Sequence, residues 1–173
     1  MLLGHVLVSE IGRRRTVGRI VETEAYIGPE DPACHAFGMR RTPRTEPLYG
    51  VPGTAYVYFT YGMHWCLNAV TERAGYPAAV LIRALEPLEG LDLMRRRRGS
   101  VPDRALCSGP ARLCQALGIT GDQNQTSLQR GVLRIVRDGH RPRRIAVTPR
   151  IGITEAEDWP LRFLIEGSAW VSR

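Results

Sequence analysis

The chain has 173 residues, of which 43% are apolar and 24% charged, and its formal net charge is +7. This length and composition favour one folded domain with its own hydrophobic core, and they exclude a largely disordered chain. No apolar run approaches the length of a membrane span. We expect no secretion signal, because residues 1–4 are too few and lack a charged segment.

All 24 basic residues are arginine, and lysine is absent. Arginine suits bidentate phosphate contacts and stacking, which favours a nucleic-acid partner. The preference for arginine can also reflect the general amino-acid composition of the source organism, so it is only modest evidence for a DNA partner. The absence of lysine does exclude a Schiff base formed by a lysine side chain.

The cysteines and histidines do not have the spacing of metal ligands. The four cysteines form no CxxC pair, and the four histidines are scattered. We therefore expect no metal site and no cofactor, and we expect reduced thiols in a cytoplasmic protein. The cysteines are Cys34, Cys66, Cys107 and Cys114.

Alternation of apolar and polar residues predicts strands over residues 4–10 and 16–26. A hairpin follows, with strands over 55–60 and 66–70 and a turn at Tyr61-Gly62-Met63. A buried strand over 78–84 comes next.

The second half predicts a helix that begins at Glu86-Pro87 and another that runs from Ser108-Gly109-Pro110 to Gly118. Further strands are predicted over 132–136, 145–153 (interrupted at Pro149), 161–165 and 170–172. Because strands outnumber helices and the links are short, we predict an α+β fold. It is a single mixed domain over residues 1–173, with a largely antiparallel curved sheet, flanking helices and a protruding β-hairpin.

The strand over 16–26 places Glu22, Glu24 and Tyr26 on one face, together with Gly18 and Ile20. Such a face is commonly just polar and exposed. Alternatively, one carboxylate lines a cleft and acts as a general base. Arg83 lies within an apolar strand and should pair with a carboxylate.

The hairpin turn carries Tyr61 and Met63 beside Phe59 and Trp65, an apolar tip where polar residues are usual. One explanation is a buried turn packed under another element. The other is a wedge that inserts an apolar side chain between stacked bases.

The loop after the strand over 16–26 carries His35 and three arginines, Arg40, Arg41 and Arg44. A single loop histidine is more often a surface residue than an acid or base. The arginines are either phosphate contacts or merely solubilising.

Several long blocks, in one order along nearly the whole chain, resemble the alkyladenine DNA glycosylase family, the mammalian type of 3-methyladenine DNA glycosylase. The family usually has an N-terminal helix before the first strand. Here the chain starts at Met1-Leu2-Leu3, so we expect that helix to be missing or the true start to lie upstream. The blocks are RIVETEAY (19–26), Pro-Glu-Asp with a following His (29–35), TPR (42–44), PGTAYVYFTYGMHWCLN (52–68), RALEPLEGL (83–91), LCSGP (106–110) and LRFLIEGSAWVS (161–172).

The resemblance implies catalytic roles for two residues. Glu24, and not Glu22, would be the general base, and Arg83 would help to hold the attacking water. The main-chain carbonyl of Ile151 would also touch that water.

The resemblance also implies how the substrate is held. Tyr26 would stack on one side of a flipped base, His35 and Tyr58 would close the other side, and Asn68 would hinder normal guanine. Tyr61 would be the wedge, with Met63 beside it at the tip. Arg40 and Arg44 would lie near the phosphates.

The implied activity is monofunctional base excision repair. The enzyme would act on double-stranded DNA containing damaged purines, release alkylated or deaminated purines and leave an abasic site. We expect no cofactor and no membrane association. A monomer is expected, in the cytoplasm and with the nucleoid if the source is bacterial.

Two rival interpretations stay open from the sequence. The first is a non-catalytic DNA-binding module in which the hairpin senses lesions and Glu24–Arg83 is only a structural ion pair. The second is a small-molecule hydrolase with the same pocket.

Overall fold

The computed structural model describes residues 1–172, which form a curled eight-stranded antiparallel sheet with two α-helices. The fold is therefore α+β, as predicted. The strands are β1 Val6–Ser9, β2 Thr16–Tyr26, β3 Ala55–Thr60, β4 His64–Thr71, β5 Ala78–Glu89, β6 Leu133–Val136, β7 Ile145–Thr148 and β8 Arg162–Ile165. The helices are α1 Leu91–Arg98 and α2 Pro110–Leu117.

The sheet is organised around β2, which is 11 residues long. The strand order is β3-β4-β5-β2-β1-β6, and β5 pairs with β2 along most of its length. On its other edge, β2 pairs first with β1 and then, from Glu22 to Glu24, with β8. β8 also pairs with β7. The second half of β2 is thus held on both edges, which fixes the backbone that carries Glu22 and Glu24.

The main hydrophobic core lies between the sheet and the two helices. It joins Ile82 and Leu85 of β5 to Met94 of α1 and to Leu113 and Leu117 of α2. A second, smaller cluster lies on the other face of the sheet, where Tyr56, Val70 and Ala79 pack against Leu48 and Cys34. Side chains alternate along each strand, so those on one face of the sheet pack in the main core and those on the other face pack in a separate layer covered by loops.

The predicted beginning of α1 at Glu86-Pro87 is wrong, because β5 continues to Glu89. Glu86 pairs with Arg19 of β2, and Pro87 pairs with Gly18. The pairing partner thus overrides a local helix-start signal, and the helix begins only after Gly90, whose φ is +79°. The predicted second helix is confirmed, with Gly109 at its N-cap and Gly118 in left-handed conformation at its C-cap.

Two predictions near the C-terminus are also wrong. The strand predicted over 145–153 ends at Thr148, before Pro149, which has no N–H to donate. Residues 170–172 form no strand. Instead, the Ser172 N–H donates to the Glu22 carboxylate at 2.5 Å, so this segment is held by a side chain of the sheet and not by a ladder.

The face assigned to β2 needs one correction, at Ile20. The β2–β5 register shifts on both sides of Glu22, which is a local bulge of the kind found beside functional sites. As a result, Ile20 packs in the main core with Leu85, whereas Glu22 bonds to Arg83. A strict period of two had placed Ile20 with the carboxylates.

Two further observations concern cysteines and membranes. All four cysteines are buried free thiols. Within residues 1–172, neither helix is long and apolar enough to cross a bilayer.

Candidate active site

A cleft of about 610 Å³ opens on the side of the sheet opposite the helices. Its position follows from register, because Glu24, Leu81, Asn68 and Tyr56 are paired in one row across β2, β5, β4 and β3. Directly paired residues of antiparallel strands project to the same face. The walls come from β2, from the hairpin and from two loops, 32–45 and 152–155.

Glu24 lies behind the wall of this cleft and has no exposed surface. Its Oε2 accepts from Arg83 Nη1 and from the Tyr26 hydroxyl, each at 3.1 Å. Its Oε1 accepts from the Ile151 main-chain N–H at 2.7 Å. The Ile151 carbonyl in turn accepts from Arg83 Nη1 at 3.3 Å. Glu24, Arg83 and Ile151 therefore form one hydrogen-bonded unit, and the prediction that Arg83 pairs with a carboxylate is confirmed.

Glu22 binds the other side of the same guanidinium. It accepts from Arg83 Nε at 3.1 Å and from Arg162 Nε at 2.7 Å. It also accepts from Ser172, through the main-chain N–H at 2.5 Å and the hydroxyl at 2.7 Å. Two buried carboxylates thus fix Arg83 from two directions, which compensates its burial.

Aromatic rings form much of the cleft wall. His35 and Tyr58 meet edge to face, with ring centroids 4.7 Å apart, and Tyr56 lies 5.2 Å from Tyr58. The His35 Nδ1 and the Tyr56 hydroxyl share a hydrogen bond of 2.8 Å. Tyr26 lines the same cleft from β2. The structure therefore brings Tyr26, His35 and Tyr58 around one cavity.

The protonation states of these rings follow from their surroundings. Partial burial, together with the charges of Arg44 and Arg40, lowers the pKa of His35 from 6.5 to about 4, so the imidazole is neutral near pH 7. Burial raises the pKa of the Tyr58 phenol. Burial and the nearby Glu24 carboxylate raise the pKa of Tyr26, so its hydroxyl keeps the proton that it donates to Glu24.

The hairpin tip projects into solvent. Tyr61 is 82% exposed and Met63 is 69% exposed, so the tip is not packed under another element of the described chain. The buried-turn explanation is therefore wrong. Tyr61 also lines the rim of the cleft, which places the tip beside the cavity.

The remaining predicted site residues also lie at the cleft. Arg40 and Arg44 are exposed on its rim, and the Arg44 guanidinium carbon lies 5.2 Å from the centre of the Tyr58 ring. Asn68 is buried in the cleft floor, where its side-chain N–H donates to the Tyr56 carbonyl at 3.1 Å.

Sequence reasoning missed one buried ion pair, between Asp31 and Arg150. It also missed the 152–155 segment as part of the wall. Asp31 and Arg150 are buried and lie 119 positions apart in the sequence. Asp31 lies in a turn-forming Pro/Gly stretch and Arg150 lies between Pro149 and Ile151. No periodicity marks either residue, so the sequence offers no signal that they meet.

Metal ligands are not assembled here. Residues 1–172 contain no group of three or more His, Cys, Asp or Glu side chains placed to hold an ion.

A cleft walled by aromatic rings, with a buried carboxylate–arginine unit behind it, is an enzyme-like pocket for a planar ligand. The sequence matches the family model described as methylpurine-DNA glycosylase over residues 1–169. The chain therefore belongs to the methylpurine-DNA glycosylase family.

Individual relatives agree with this membership. The chain is 46% identical to the DNA-3-methyladenine glycosylase of Mus musculus over 98% of its own length and 56% of the mouse protein. It is 49% identical to a putative 3-methyladenine DNA glycosylase of Methanoculleus marisnigri, covering 99% of its own length and 90% of that protein. A relative from Nitrosospira multiformis with the same description is 48% identical over 97% of this chain and 83% of its own. The chain thus spans about half of the mouse protein and most of the microbial ones.

Proposed function

We propose that this protein is a monofunctional DNA glycosylase. It flips alkylated or deaminated purines out of duplex DNA and hydrolyses the N-glycosidic bond with a water activated by Glu24. The observation that carries the proposal is the Glu24–Arg83–Ile151 unit directly behind an aromatic cleft. The family and the names of the relatives supply the class of substrate.

The cleft suits an extruded base because its walls carry aromatic side chains on which a base can stack. A base inside a duplex is out of reach, so it has to be flipped at a cost of a few kcal/mol. Stacking on aromatic side chains returns about 1–3 kcal/mol per base. Tyr26, Tyr58 and His35 provide those faces, and the exposed Tyr61 fills the gap left in the duplex.

Selectivity follows from electron-rich walls. A cationic alkylated purine gains a cation–π term that a normal base lacks. It is also a good leaving group, so activating the water is the main task left for the protein. Asn68, in the cleft floor, is the group that hinders normal guanine in this proposal.

Glu24 has one acceptor site that no protein donor uses. A carboxylate offers about four acceptor sites, and Arg83, Tyr26 and Ile151 fill three of them. The attacking water takes the fourth site and is aimed at the sugar C1′. Glu24 is fully covered in the free protein and the adjoining segment that begins at Ile151 is mostly exposed, so we propose that this segment shifts to admit the water when DNA binds.

The proposal is tested with duplexes that each carry one lesion: 3-methyladenine, 7-methylguanine, ethenoadenine or hypoxanthine. We expect free base and an intact strand with an abasic site under single-turnover conditions, because no lysine is present to cleave the strand. Binding without any base release would overturn catalysis and favour a lesion-sensing module.

The wedge is tested with Tyr61→Ala against Tyr61→Phe, which keeps the ring. Tyr61→Ala should lose activity on duplex substrate while keeping activity on a single strand with the same lesion. Tyr61→Phe should keep both. If Tyr61→Ala leaves duplex activity unchanged, the wedge role is wrong, and turnover of free nucleosides would indicate a small-molecule hydrolase.

A further inference from the structure

Asp31 and Arg150 form a fully buried ion pair next to the cleft, and neither side chain has exposed surface. Arg150 Nη1 and Nη2 donate to the two Asp31 oxygens at 2.5 and 2.8 Å. Nη1 also donates to the Ala25 carbonyl at 3.1 Å. Asp31 further accepts from the main-chain N–H groups of Ile27 and Ala33.

The guanidinium of Arg150 also lies on the Tyr26 ring, with its central carbon 4.8 Å from the ring centre. Its Nε is buried and finds no hydrogen-bond acceptor among residues 1–172. Tyr26 lines the cleft, whereas Arg150 does not. The Arg150 side chain has no exposed surface, so the part of the ring that the guanidinium covers is closed to solvent.

This pair touches three parts of the site at once. Asp31 lies in the loop that leads to His35, Arg150 precedes Ile151, which donates to Glu24, and the guanidinium packs on Tyr26. A permanent positive charge behind an aromatic ring withdraws electron density from its open face. That weakens the attraction of the open face for a second cation.

We propose that the Asp31–Arg150 pair sets the charge selectivity of the cleft, by balancing one positive and one negative charge behind Tyr26. This rests on the proposed function, because it concerns which purines the same cleft accepts. The positive charge of Arg150 weakens the attraction of the Tyr26 ring for cationic purines, and the negative charge of Asp31 offsets that weakening. Both are specificity-determining residues that act through Tyr26 and not by touching the substrate.

The proposal predicts opposite results for the two halves of the pair. Arg150→Gln leaves the negative charge uncompensated and should favour cationic purines. Asp31→Asn leaves the positive charge uncompensated and should disfavour them. A purely structural role predicts no such asymmetry, because both variants break the same contact and would slow the release of all substrates together.

The experiment measures single-turnover release of 7-methylguanine, which is cationic in DNA, and of hypoxanthine, which is neutral, by the same protein preparation. The readout is the ratio of the two rates. We expect Arg150→Gln to raise this ratio about threefold and Asp31→Asn to lower it about threefold. The double variant Asp31→Asn/Arg150→Gln should return the ratio to near that of the unmutated protein. Arg150→Lys keeps the positive charge and should leave the ratio unchanged.

Ratios that move in the same direction in both single variants, or do not move, would overturn the proposal. If Arg150→Gln does not fold, the pair Asp31→Asn and Arg150→Lys still tests it, since only Asp31→Asn should lower the ratio. An unmutated protein that releases neither base would overturn the proposed function itself. Release of both bases with unmoved ratios would overturn only this inference.

Discussion

Glu22 and Glu24 are two positions apart on β2, have no exposed surface and bind the same guanidinium, that of Arg83. Their surroundings differ in the number and kind of donors. Glu22 receives four hydrogen bonds: Oε1 accepts from Arg83, Arg162 and the Ser172 hydroxyl, and Oε2 accepts from the Ser172 main-chain N–H. Glu24 receives three, and two of its donors, Tyr26 and Ile151, belong to the cleft wall or adjoin it.

This comparison teaches that residue type, burial and a shared partner do not distinguish the two carboxylates. The property that distinguishes them is the location of their other donors: those of Glu22 are Arg162 and the C-terminal Ser172, whereas those of Glu24 line or adjoin the cleft. Glu22 closes a network that ties the C-terminal segment to the sheet. Glu24 is the residue that we propose as the general base, so the two carboxylates should respond differently to substitution.

The largest expected effect is on catalysis by Glu24→Gln. The amide keeps the size of the side chain and can still accept hydrogen bonds, but it cannot take a proton from water. We expect single-turnover base release to fall about 10²–10⁴-fold. Thermal unfolding measured beside it should show that the variant folds. Base release within a few-fold of the unmutated protein would show that Glu24 is not the base.

The next effect is on stability and comes from Glu22→Ala. The substitution leaves Arg83 and Arg162 buried without their shared carboxylate. Breaking a buried pair by removing one partner costs about 3–5 kcal/mol. Urea unfolding at neutral pH measures the loss of unfolding free energy, and Glu24→Ala is the matched variant on the same strand. A smaller loss in Glu22→Ala than in Glu24→Ala would contradict the assignment of Glu22 as the structural carboxylate.

Arg83→Lys should affect both carboxylates at once, because a lysine amine cannot present separate N–H groups to Glu22 and Glu24 in a fixed fork. We expect base release to fall about 100-fold through misplacement of the water, together with a measurable loss of stability. The variant is compared with Arg162→Lys, which also touches Glu22 but not Glu24. Equal activity losses in the two variants would contradict a role for Arg83 at the water.

Much of this arrangement could be predicted from the chain. The alternation over 16–26 gave the shared face of Glu22, Glu24 and Tyr26, and the arginine within an apolar strand gave the ion pair with a carboxylate. The family resemblance, and not the pattern, separated Glu24 from Glu22. The roles of the individual cleft residues stay predictions.

What could not be predicted depends on contacts between distant segments. The bulge at Glu22 and the extension of β5 through Pro87 are set by pairing between strands. Ser172 reaches Glu22 across 150 positions, and Arg150 reaches Asp31 across 119. Local propensity carries no information about such pairs, because each residue is ordinary in its own segment.

The smallest expected effect is on the pH dependence of stability and comes from His35 in the cleft wall. Its pKa in the folded protein is about 4, below the ordinary 6.5, so the unfolded chain binds more protons between these values. Stability should therefore fall as the pH falls from 6.5 towards 4, with no contribution from His35 above 6.5. Because the residue keeps an exposed share, screening by solvent limits the effect to below about 1 kcal/mol.

His35→Gln removes this contribution and should flatten the dependence of the unfolding free energy on pH within that window. Unfolding in urea is measured for both proteins above pH 6.5 and midway between 6.5 and 4. The slope that remains in His35→Gln belongs to the other titrating groups of the protein. Identical slopes in the two proteins would show that the imidazole is as easily protonated in the folded cleft as in the unfolded chain.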